Sequence, residues 1–152
     1  MLHKCTPMIV RTVAILQLLG SLVLAIERFW MARIFFKSGL TKIDDWANTV
    51  YLFTNEYNVP ILPPTLAAGG ATVVELAAPV FLVLGLATRL ATLPMLAMTA
   101  VIQFTYESHP DHAVWAMLLA TLLCFGPGKL SLDQLIARRF LSGATPIVSG
   151  TR

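Results

Sequence analysis

Residues 71 to 89, ATVVELAAPVFLVLGLATR, set one carboxylate, Glu75, in an otherwise apolar run. A charged group there costs roughly 3 kcal/mol in lipid, so it turns inward and finds a partner. Ala68, Ala71, Thr72, Ala78 and Pro79 fall on its face of a helix, and small residues admit a second helix closely. Pro79 has no N–H, so the Glu75 carbonyl loses its intrahelical bond. Three roles fit such a group: an ion pair, exchange of a proton or a ligand, or a carboxyl kept neutral.

The expected partners are cationic. Arg33 and Lys37 are four residues apart and share a helix face. Arg28 lies deeper, beside Glu27; adjacent residues diverge by about 100°, so each looks elsewhere for a partner. A further apolar run carries a polar stripe of Thr92, Thr99, Gln103 and Tyr106, at spacings of seven, four and three. It either lines a site opposite Glu75 or makes ordinary interhelical hydrogen bonds. Glu75, Arg33, Lys37, Arg28 and Gln103 are thus the candidate intramembrane polar site, with no catalytic residue assigned.

Other chemistry is sparse. His109 and His112 sit with Glu107 and Asp111 in ESHPDH, but Pro110 interrupts them and the spacing identifies no metal site. There is no phosphate-binding glycine loop, nucleophile elbow or HExxH. Cys5 and Cys124 lie at opposite ends, without a CxxC, and Cys124 reads as a small buried apolar residue. The chain therefore has no self-contained catalytic motif; at most it is a subunit of a membrane oxidoreductase.

Composition decides what positions these groups. Of 152 residues, 57% are hydrophobic and 12% charged, and mean hydropathy is +0.74. A soluble domain carries about twice that charge. Too few polar residues remain to cover a water-facing surface, which makes the lipid bilayer the expected solvent. The +3 net charge shows no aromatic-interleaved basic patch, so nucleic acid is not an expected partner.

The pattern predicts an all-α, integral membrane four-helix bundle, one domain over residues 1–140. Its spans cover approximately residues 10–40, 65–88, 90–106 and 111–127, with TRL as the turn between the second and third. LAIERFW offers no small-x-small site for removal of a signal peptide. Between the first two spans, Asp44 or Asp45 caps a short interfacial helix carrying Trp46, Val50, Phe53 and Tyr57 at helical spacing. Trp46, Phe53 and Tyr57 are candidate interfacial ligand contacts. After the GPG stop, Ser131 and Gln134 form a capping box that opens a short surface helix. Residues 141–152 read as a flexible tail.

Charge sets the orientation. Lys4, Arg11, Arg89, Lys129, Arg138, Arg139 and Arg152 fall on one side, and Asp44, Asp45, Glu56, Glu107 and Asp111 on the other. The positive-inside rule places both termini, and the surface helix, in the cytoplasm.

Three motifs carry a family resemblance. RFWMARIFFKSGLTKIDDW resembles the first-helix signature of DoxX-like membrane proteins, with Arg28, Gly39 and Lys42 on its pattern. VVELAAPVFLVLGLATRLA resembles their second-helix pattern, through Glu75, Gly85, Thr88 and Arg89. GPGKLSLD resembles the end of their fourth helix. The resemblance covers roughly residues 28 to 136. It implies a bundle in the bacterial inner membrane. Some relatives are subunits of quinone-linked oxidases; others associate with oxidative-stress systems. Two expectations follow. In one, the chain is a subunit or accessory of a quinone-linked redox process, with no intrinsic cofactor and quinone as its ligand. In the other, it is a small transporter or a non-catalytic assembly partner whose buried charges are structural. Redox or assembly subunits are the expected partners, and the alanine-rich face suits a homo-oligomer.

Overall fold

A computed structural model describes residues 2–57, 59, 61–106 and 108–141, with side chains from residue 8 to residue 140 within those ranges. The tail after residue 141, Glu107 and the side chains of Lys4 and Cys5 lie outside them. Six helices make up the described chain: α1 (Leu2–Asp44), α2 (Trp46–Asn55), α3 (Pro64–Leu84), α4 (Thr88–Thr105), α5 (Pro110–Phe125) and α6 (Leu132–Leu141). Among the described residues there is no strand.

The helices begin and end where local chemistry requires. Asp45 caps α2, its Oδ1 accepting from Asn48 N at 2.9 Å. Pro64 opens α3 at a position where a missing N–H is harmless. Pro110 does the same for α5, while His109 Nδ1 accepts from Asp111 N. Ser131 Oγ accepts from Gln134 N at 3.2 Å and opens α6.

The turn after α3 differs from expectation. It falls on Gly85–Ala87, and TRL belongs to α4. Gly85 takes φ 64°, a left-handed conformation natural to glycine, and its N–H and that of Leu86 return to Leu82 and Phe81. Asp133 then caps α4 from α6, accepting from Ala87 N at 2.9 Å and Thr88 N at 3.3 Å. The observed turn thus starts three residues before the expected one.

α1 packs along α3, α3 beside α4, α4 against α5, and α5 returns to α1; α2 lies across the end of α1 and α3. The core joins Met31, Ala32 and Phe35 to Ala78, Leu82, Ala91, Met95, Leu119 and Leu122. A smaller cluster of Phe53, Ala67 and Ala68 seats α2 on α3. The outside is also apolar: Phe29, Trp30, Phe36, Val73, Leu90 and Met117 are exposed. Cys124 is exposed too, contrary to its expected burial, because Leu119 and Leu122 take the inner face of α5.

By length and composition, α1 from Met8 and α3 can each cross a membrane; α5 is apolar but shorter, at 16 residues. Hardly any of the most apolar α1 segment is buried.

Candidate functional site

The site begins with which side of α1 faces inward. Arg28, Met31, Ala32, Phe35 and Gly39 are buried, and Ser38 and Lys42 are half-buried. These positions advance by three or four residues and form one stripe. Gly39 lies on that stripe where α3 comes closest. A Cβ there would stand 2.8 Å from Leu76 Cδ2 and 3.0 Å from Glu75 Cβ. The missing side chain lets the two backbones meet, and it brings Glu75 under the last turn of α1.

Glu75 is 2% exposed. Its Oε1 accepts from Lys42 Nζ at 2.7 Å and from Ser38 Oγ at 3.1 Å, and Lys42 also donates to Ser38 Oγ at 3.0 Å. The other oxygen, Oε2, is buried and receives no hydrogen bond. A carboxylate oxygen can only accept, so it lacks a donor.

Next to this pair lies a cavity of about 300 Å³, at the lower end of the range for small-ligand pockets. Lys42 and Glu75 form its polar wall. Phe53 and Tyr57 close it from the α2 side, and Ala71, Val74, Ala97 and Val101 line it from α3 and α4. Tyr57 stacks edge-on with both Phe53 and Tyr106 at 4.8 Å. Burial, then Tyr106, Glu75 and Glu56, push its phenol above the ordinary value, so it keeps its proton at neutral pH.

A second polar constellation occupies the other end of the α1–α3 contact. Arg28, also 2% exposed, donates from Nη2 to Leu130 O at 2.6 Å. Its guanidinium lies against Gly85, where any Cβ would collide with Nη1. Asp133 N donates to Gly85 O at 3.0 Å. One segment, residues 130–133, thereby joins α1, the α3–α4 turn and α6.

A family profile described as DoxX matches residues 23–108, more than half of the chain. The chain belongs to the DoxX family. No curated protein and no solved structure matches it significantly. Its family and its apolar helices make this DoxX chain a membrane protein.

Most of the residues that carried the DoxX resemblance sort into the two constellations; Arg89 stands apart, donating to Cys124 O at 3.1 Å. Gly39, Lys42 and Glu75 meet at the cavity; Arg28, Gly85 and Thr88 meet at the other end, with Asp133 from GPGKLSLD. The expected grouping around Glu75 is different from the observed one. Arg33 and Lys37 are exposed, off the buried stripe of α1, and Lys42 takes the carboxylate instead. Arg28 is about four turns away from Lys42 on α1. Gln103 bonds Ser108 Oγ at 2.7 Å and His112 Nδ1 at 2.9 Å, and does not line the cavity. Thr92 and Thr99 are buried, but their hydroxyls return to the α4 carbonyls of Arg89 and Met95. Phe53 and Tyr57 do line the cavity, whereas Trp46 is exposed outside it. Among the described residues no three His, Cys, Asp or Glu side chains gather as a metal set.

Ser38 and Lys42 are the contacts that sequence reasoning missed. The available signal was the stripe itself: extending Arg28, Met31 and Phe35 by helical steps arrives at Ser38 and Lys42.

Proposed function

We propose that this DoxX chain is a membrane-embedded subunit that binds an isoprenoid quinone for a quinone-linked redox process. In this reading four helices cross the bacterial inner membrane, with α2 at the outer face and both termini in the cytoplasm. The supporting observation is the cavity: apolar walls from three helices, one buried ion pair, and one carboxylate oxygen lacking a donor. A flat aromatic head group needs that combination of slot and hydrogen-bonding wall. Exposed Leu66 and Ala97 at its rim suit an isoprenoid tail lying among lipids.

A bound quinone would supply two-electron, two-proton chemistry. The chain's own groups position it and manage protons. Lys42 and Ser38 hold Glu75 in place through Oε1 at the wall of the slot, and Tyr57 closes the slot with a neutral phenol. Electrons come from, or go to, a partner subunit.

The test is the organic extract of protein purified in mild detergent. Near-stoichiometric quinone is expected from the natural protein and almost none from Ala71→Phe, which fills the cavity while keeping the ion pair. Extracts without quinone from both proteins, at equal thermal stability, would sink the proposal.

The second reading, an assembly partner or small transporter with structural charges, is favoured by α1. Its most apolar segment is almost wholly uncovered, as a helix awaiting another subunit or a second copy would be. Crosslinking from Leu19→Cys in native membranes tests it; adducts to a protein are expected, and lipid alone would count against it.

A further inference from the structure

We infer that the cavity takes its ligand in a hydrogen-donating form, a hydroquinone or phenol, with Glu75 Oε2 as the acceptor. This rests on the cavity reading above and adds which form of the ligand is held.

The argument is a census of donors and acceptors. Glu75 Oε1 is satisfied by Lys42 Nζ at 2.7 Å and Ser38 Oγ at 3.1 Å. Oε2 is buried, has no partner and belongs to a side chain lining the cavity. Buried acceptors seek donors, and a charged one does so most strongly. Few other polar groups reach the cavity. Thr105 spends its hydroxyl on Val101 O at 2.7 Å. The Lys42 ammonium and Tyr57 hydroxyl can donate to a ligand oxygen, but carbonyl and hydroxyl oxygens both accept, so neither group discriminates. Glu75 Oε2 does. A quinone carbonyl would set two acceptors face to face in an apolar site; a hydroquinone or phenol turns an O–H to it.

The expected consequence is a preference of about tenfold or more for the reduced form, since hydrogen bonds to ionised groups are the strong ones. Delipidated full-length protein in detergent would be titrated calorimetrically, without oxygen, with a short-chain ubiquinol and its ubiquinone. A substituted phenol and its methyl ether make a redox-inert second pair that needs no variant. Tighter binding of ubiquinol and of the phenol supports the inference. Glu75→Gln, whose amide can offer an N–H, should erase or invert the preference. Equal binding of the two forms, or a preference surviving in Glu75→Gln, overturns the inference and leaves the cavity reading intact. Binding of neither form, with Ala71→Phe indistinguishable from the natural protein, overturns the cavity reading itself.

Discussion

Lys42 and Glu75 are both largely shielded, at 15% and 3% side-chain exposure. Removing one partner strands the other as an uncompensated charge. Lys42→Met and Glu75→Leu should each lower stability by about 3–5 kcal/mol, and the double variant by far less. Thermal unfolding in detergent measures the coupling; additive losses would count against a held pair. That Glu75 turns inward was legible, because a lone carboxylate in an apolar run has few other options. Its partner was not. Apolar residues surround α1, so hydropathy alone gives its rotation no direction. Arg33 and Lys37 are the expected partners only while that rotation is unknown; Met31, Ala32 and Phe35 face the core, which turns Arg33 and Lys37 outward and brings Lys42 to the carboxylate.

Among the elements, the α3–α4 turn depends most on single residues. Gly85→Ala would put a side chain at a positive φ and against Arg28 and Ser131. The left-handed conformation alone costs about 1–2 kcal/mol, and the collision adds to it, so loss of the folded bundle in detergent is the expected result. Asp133→Ala should cost about 1 kcal/mol through the lost cap on α4, visible as a lower unfolding midpoint. α2 and α6 were readable from capping residues, and α3 from its prolines. The turn is set by two devices: Gly85, a local helix stop that placing the turn at TRL passes over, and the cap from Asp133, far along the chain, of which local pattern carries no trace.

At the scale of the whole molecule, α1 has 43 residues, about 65 Å, against 16 to 21 residues for α3, α4 and α5. It outreaches its neighbours, so one end must tilt or project from the bilayer. The proposed orientation is checked by reporters. Green fluorescent protein fused after Arg152 should fluoresce, and alkaline phosphatase inserted between Ser108 and His109 should be active; the reverse pattern would overturn it. The helical plan was legible from composition and apolar runs, while the contacts between distant segments were not.

The Arg28–Leu130 hydrogen bond spans 102 positions in the chain. During synthesis, the first helix enters the membrane carrying a guanidinium whose acceptor has not yet been translated. The bundle can be clasped only once residues 130–133 have left the ribosome, so its final closure is a late act performed by the C-terminal segment. A chain stopped after α5 would have its principal helices and leave Arg28 without this acceptor.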